Sequence, residues 1–161
     1  MEKGIRILQK ANLTPKHKAE QAPYEYVKYP VTNDPSHDPC CVMIYEIPPL
    51  KANYPYHYHT CNTEVFYIIS GEGILESPEG ERVIKPGDVI YCPPTAEAAH
   101  LLRNTSTSEK LCYIEFDTNQ MPDLVHYPRT HKVGMMLAEE DNLFFKEADR
   151  VAYYEGEEGK S

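Results

Sequence analysis

His57-Tyr58-His59-Thr60-Cys61-Asn62-Thr63-Glu64-Val65-Phe66-Tyr67-Ile68-Ile69-Ser70-Gly71 sets two imidazoles, one carboxylate and a closing glycine on a short run of chain. Residues two apart on a strand point to the same side, so His57 and His59 project together while Tyr58 faces away. Glu64 opens the next apolar run, and Thr60 to Thr63 is long enough to turn the chain back toward the histidines. Imidazole with carboxylate suits borderline first-row metals such as iron, zinc, nickel, manganese and copper. With seven His in the chain, composition alone yields roughly 0.3 His-x-His pairs, and on the order of 0.002 once the Glu and Gly are required. The competing reading, a solvated histidine pair on a strand rim with Glu64 as a surface charge, is the weaker one.

Length and charge bound the rest. A chain of 161 residues predicts one domain, 1–161, with enough sequence to bury a core. Asp and Glu outnumber Lys and Arg by 25 to 16, for a net charge of −9. No Lys/Arg block is present, which argues against a nucleic-acid partner and against an anionic membrane. The first ten residues lack the apolar stretch of a signal peptide, and no apolar run reaches the length of a membrane span. Cysteines at 40, 41, 61, 92 and 112 are odd in number and without CxxC spacing. Reduced thiols and a cytoplasmic location are the expectation.

Around the histidines the chain reads as short strands punctuated by turns. Cys41 to Ile47 stops at Pro48-Pro49, and Glu64 to Ile69 stops at Ser70-Gly71-Glu72-Gly73. Ile74 to Ser77 and Glu81 to Lys85 form a predicted hairpin around Pro78-Glu79-Gly80, a loop read as too long for the tightest turns. Val89 to Cys92, Ala99 to Asn104 and Lys110 to Asp117 complete the series. Close, regular strand spacing argues for an all-β barrel or sandwich. The flanks, 1–40 and 118–161, are read as extensions packing on a core of about 41–117. They include a candidate strand at Ile5 to Leu8, a polar stretch at Thr14 to Gln21, and apolar docking segments at Val125-His126-Tyr127-Pro128 and Asn142-Leu143-Phe144-Phe145.

A fourth metal ligand has to come from another strand, and His100 is the strongest candidate: Gly87 to Pro93 precedes it and Asn104 follows. His17, His37, His126 and His131 are assigned to surface or packing roles. Cys61 is in phase with the histidine pair, but a buried inert thiol is the better reading. Gly71, Gly87 and Asn104 are read as turn and strand-end residues.

These residues resemble the two motifs of the cupin superfamily, the small double-stranded β-helix proteins. The first motif is Gly, five residues, His-x-His, a few residues, Glu, six residues, Gly. His57, His59, Glu64 and Gly71 match it, with Lys51 in place of the leading Gly. The second is Gly, five residues, Pro-x-Gly, two residues, His, three residues, Asn. Gly87, Pro93, His100 and Asn104 correspond, with Thr95 in place of Gly and two extra residues ahead of the histidine. The resemblance implies a jelly-roll barrel holding one divalent transition metal (Fe, Zn, Ni or Mn) on His57, His59, His100 and Glu64, with open positions for a ligand. It also implies a homodimer, and edge strands offer a route to one.

Three neutral donors and one carboxylate leave a divalent ion with net positive charge, suited to a small chelating or anionic molecule. Tyr45, Phe66, Tyr91, Glu97 and Tyr113 are the candidate ligand-binding residues, as polar or aromatic groups on strands edging the barrel. Fold does not determine function. A metal-dependent isomerase acting on sugar phosphates and an oxygenase lead narrowly. A non-catalytic binding module for a sugar or carboxylate follows, and a barrel whose metal only braces the fold comes last.

Overall fold

Proline and glycine punctuation cuts the chain into thirteen short strands in the computed structural model, which describes residues 4–32, 38–138, 141–157 and 159. They are β1 (Lys16–Gln21), β2 (Tyr24–Pro30), β3 (Cys40–Ile47), β4 (Tyr58–His59), β5 (Glu64–Ser70), β6 (Gly73–Ser77) and β7 (Gly80–Ile84). There follow β8 (Val89–Cys92), β9 (Leu101–Asn104), β10 (Leu111–Thr118), β11 (Asp123–Tyr127), β12 (Lys132–Met136) and β13 (Leu143–Lys146). Among the described residues helix is confined to three 3-10 turns, Lys10–Asn12, Ala96–Ala98 and Glu147–Asp149. The fold is all-β, with the jelly-roll arrangement of antiparallel sheets expected above.

The strands assemble as a six-stranded sheet in the order β1-β2-β3-β10-β5-β8, a four-stranded sheet β13-β12-β11-β4, and a three-stranded sheet β7-β6-β9. β10 lies between β3 and β5, opposing Tyr113 to Tyr45 on one side and to Ile68 on the other. Inward positions alternate along each strand: Tyr45 and Ile47, Phe66 and Ile68, Leu111 and Tyr113 are all essentially buried. Burial of each such side chain is worth about 1.5–3 kcal/mol. Tyr45 and Tyr113 stack with ring centroids 5.0 Å apart, and Phe66 meets Tyr113 edge-on at 5.6 Å.

Two turn residues have structural jobs. Gly71 sits at φ 80°, and a Cβ there would lie 2.2 Å from the Lys110 carbonyl oxygen, so only glycine fits between β5 and β10. Leu50 takes φ 60°, next to Lys51, where the resembling motif has its leading Gly. Asn104 closes β9 by donating to the carbonyls of Ile47 and Glu109 and accepting from the Ser106 N–H.

Three sequence expectations are corrected. Ile5 to Leu8 is not a strand, and Ile5 and Ile7 are exposed. The strands of the N-terminal flank are β1 and β2, and the polar stretch Thr14 to Gln21 contributes β1 with every residue exposed, as suits an edge strand. The hairpin β6–β7 pairs Ser77 with Gly80, leaving a two-residue loop, because Gly80 at φ 109° joins the strand instead of the turn. In the C-terminal flank Asn142 to Phe145 contributes β13, whose residues stay exposed.

Candidate metal centre

Each of the four expected ligands reaches the centre from a different local structure. His57 precedes β4, His59 ends it, and Glu64 begins β5 after the turn Thr60 to Thr63. His100 follows the 3-10 turn Ala96–Ala98, which accommodates the longer loop expected before it. Its position is pinned by a two-way backbone pair: His57 N–H donates to the His100 carbonyl at 3.1 Å, and His100 N–H to the His57 carbonyl at 2.8 Å.

The side chains then converge. His57 Nε2 and His59 Nε2 lie 3.7 and 3.6 Å from Glu64 Oε1, and His100 Nε2 lies 3.3 Å from Glu64 Oε2. Ligands held at about 2.1 Å from a metal sit about 3.0–3.4 Å apart in octahedral or tetrahedral shells. His57, His59 and Glu64 already place ligand atoms within 4.8 Å of one another, and His100 joins them through its approach to Glu64. All three opposite ring nitrogens are engaged. His57 Nδ1 donates to the Pro55 carbonyl at 2.8 Å, His100 Nδ1 to the Ala98 carbonyl at 3.0 Å, and His59 Nδ1 to Asp123 Oδ2 at 2.5 Å. This fixes each tautomer with the Nε2 lone pair facing Glu64. His100 Nε2 is fully buried and finds no hydrogen-bond partner, an unpaid desolvation that a cation would relieve.

Asp123 is itself held firmly. Its carboxylate accepts from Thr60 N–H, Thr60 Oγ1, Cys61 N–H and Asn62 Nδ2 besides His59. The β4–β11 pairing, His59 opposite Val125, brings it to the histidines from about sixty residues away in sequence. Burial opposes charge on Asp123, but the His59 partnership outweighs it and lowers its pKa.

Electrostatics favour an added cation. Burial would raise Glu64, yet the surrounding His100, His57 and His59 hold it below the ordinary carboxylate range. Burial lowers the pKa of His100, against the pull of Glu64. A buried carboxylate ringed by imidazole lone pairs is the complement of a divalent ion.

A cavity of about 380 Å³ opens on His57, His59 and Glu64. Two further carboxyls, Glu115 and Asp117 on β10, border it, and with Glu64 their oxygens form a second close acidic group. Burial and then the neighbouring carboxylates raise both pKa values. Neither residue stood out in the sequence. Alternation from Tyr113 puts Glu115 and Asp117 on the same inward face, and that was the available signal.

Of the five candidate ligand-binding residues, Tyr45 borders this cavity. Phe66 and Tyr113 are buried in the core, with Phe66 edge-on to the His100 ring at 5.3 Å. Tyr91 and Glu97 lie elsewhere, beside a second cavity of about 250 Å³ that also includes His100. On β8, Ile90 and Cys92 point inward, which turns Tyr91 out to 65% exposure. Cys61 is exposed and all five thiols are free, so the expectation of a buried Cys61 is corrected. His17 faces Glu25, His126 stacks on Tyr58, and His131 is exposed, while His37 lies outside the described residues.

Residues 43–116 match the family model described as the cupin domain. The chain carries a cupin domain. Its structure is similar to that of a sugar phosphate isomerase from a cupin superfamily of Silicibacter pomeroyi, at TM-score 0.78 and 14% identity over 93% of this chain and 98% of that one. It is also similar to a protein of Acidithiobacillus ferrooxidans provisionally named a sugar phosphate isomerase, at TM-score 0.75 and 23% identity over 88% and 90%. A predicted oxalate decarboxylase from Thermotoga maritima superposes at TM-score 0.61 with 19% identity, over 71% and 100%. At these identities the likeness is one of fold. No curated protein matches the sequence significantly.

Proposed function

We propose that this cupin is a metal-dependent enzyme that takes a small, oxygen-rich chelating molecule into the 380 Å³ cavity. The observation that carries the reading is the convergence of three oriented imidazole Nε2 atoms on Glu64, with His100 Nε2 buried and unpartnered. His57, His59, His100 and Glu64 would hold one divalent ion, which when bound supplies Lewis acidity or a site for oxygen. The cavity size suits a molecule of sugar, hydroxy-acid or diketone dimensions. Glu115 and Asp117 place two carboxyls beside the ligands on the cavity side, within reach of such a molecule. Isomerisation of a hydroxy-carbonyl compound and dioxygenation are both chemistries that a centre of this kind accommodates.

Elemental analysis of the purified protein tests the reading, with close to one equivalent of Fe, Zn, Ni or Mn expected and His100→Ala reduced to a small fraction of that. Full occupancy in His100→Ala would remove His100 from the set. Turnover of hydroxy-carbonyl or sugar substrates, with and without oxygen, completes the test. Saturable binding without turnover would assign a binding module instead.

A homodimer belongs to the same proposal. The outer face of the six-stranded sheet carries Tyr91, Val65 and Phe116 in one row across β8, β5 and β10, and Val89, Tyr67 and Ile114 in the next. Tyr67, Val89, Tyr91 and Phe116 are 43–66% exposed, and contiguous apolar faces of this kind mark association sites. Sedimentation velocity should give a dimer for the wild type and a monomer for Phe116→Asp, whereas a monomeric wild type would refute it.

A further inference from the structure

The same cavity discriminates by charge. We infer that it selects an uncharged, hydroxyl-rich ligand and rejects phosphorylated ones, a refinement that rests on the metal-site reading above. Its polar lining consists of His57, His59 and three carboxyls, Glu64, Glu115 and Asp117, with tyrosine hydroxyls and one asparagine. No Lys or Arg is among the described residues that border it. Lys28 acts on Glu115 and Asp117 through its field, but it lines a separate cavity with Arg6 and forms no ion pair with either carboxyl.

Phosphate recognition calls on Arg or Lys, or on the exposed N–H groups at the start of an α-helix. None of these faces the cavity, and the described residues contain no α-helix. A divalent ion on Glu64 leaves a single net positive charge. If Glu115 and Asp117 are ionised, the balance becomes negative. If they are protonated, they offer O–H donors but no compensating charge. A phosphate dianion is therefore under-compensated in either state.

A hydroxyl group suits the same lining in both states, since it donates to a carboxylate and exchanges hydrogen bonds with a carboxylic acid. Met43, Met121, Val125, Met136 and Leu137 border the same space and match the C–H faces of a sugar-like molecule.

Cobalt(II)-loaded protein offers a direct test, because ligands that reach the metal alter its visible spectrum. Metal content is measured first, and the protein is then titrated with D-fructose, D-fructose 6-phosphate and inorganic phosphate. The expected result is a saturable change with fructose and at least about tenfold weaker responses to both phosphates. Asp117→Lys, which places a cation at the cavity whichever state the two acids take, should narrow that gap about tenfold or more by strengthening the phosphate ester. Equal or tighter binding of fructose 6-phosphate to the wild type overturns the inference and leaves the metal reading intact. So does a cobalt-loaded wild type that responds to no neutral probe. A wild type that holds no cobalt defeats both.

Discussion

Glu64→Gln is expected to abolish metal retention while leaving the apoprotein folded. The substitution keeps shape and removes the one charge that faces His57, His59 and His100 at 3.3–3.7 Å. Loss of an oriented neighbour of a ligand already costs 10–100-fold in metal affinity. Removing the anionic ligand itself should cost on the order of a hundredfold or more, about 3 kcal/mol. In the apoprotein the desolvation penalty of a carboxylate buried to 6% exposure is outweighed by the histidines around it, which hold its pKa low, so the neutral amide brings no gain in stability. Thermal unfolding with and without added metal separates the two effects. Wild type should gain a metal-dependent rise in Tm, and Glu64→Gln should lose that rise, measured against its own apo Tm. A variant still stabilised by metal to the wild-type extent would show that Glu64 is not a ligand.

Asp123→Ala should be the most damaging change remote in sequence from the ligands, lowering both stability and metal affinity. Asp123 is fully buried and accepts five hydrogen bonds, from His59, Asn62, Thr60 (twice) and Cys61. Truncation leaves several of those donors without a partner, at about 1–3 kcal/mol for each that stays buried. The expected net loss is about 3–5 kcal/mol, the range for breaking a buried charged pair. With His59 no longer oriented, metal affinity should fall by about 10–100-fold as well. Urea unfolding of the apoprotein and competition with a chromogenic chelator measure the two separately. An unchanged urea midpoint would contradict the structural half of the prediction.

The sign of its pH dependence follows from the lowered pKa. A carboxylate whose folded value is depressed contributes stability above its unfolded pKa of about 3.9, and that contribution disappears as the pH falls through the folded value. Loss of the Asp123 contribution is accordingly confined to strongly acidic solution.

Local signals explain what could be read in advance. Proline and glycine punctuation located the central strands to within a residue or two, because the backbone preferences of those residues are intrinsic. Val89 to Cys92 is the clearest case, bounded by Pro86-Gly87-Asp88 and Pro93-Pro94. The ends were harder. β1 has no buried residue, so its lysines and glutamates gave no alternating apolar pattern to find. The hairpin at Pro78-Glu79 was misjudged because Gly80 has the freedom to be either the last loop residue or the first strand residue, and pairing with Ser77 decides which.

Among the ligand-binding candidates the same limit appears. Tyr45 and Tyr91 look alike as strand tyrosines, yet one borders the metal-facing cavity and the other faces outward. Only the pleat, set by which neighbours are buried, separates them. Glu115 and Asp117 looked like ordinary polar positions on a strand, although they stand inward on β10 at the cavity.

By itself the sequence determined an all-β cupin domain and the donor types at positions 57, 59, 64 and 100, since local spacing along a strand dictates which side chains share a face. The tertiary structure decided which groups surround those donors. Asp123 reaches His59 through the β4–β11 pairing, and Glu115 and Asp117 reach the cavity through β10, whose partners lie far away in the chain. Long-range strand pairing is governed by the burial of the whole barrel, so no window of sequence around the histidines contains it.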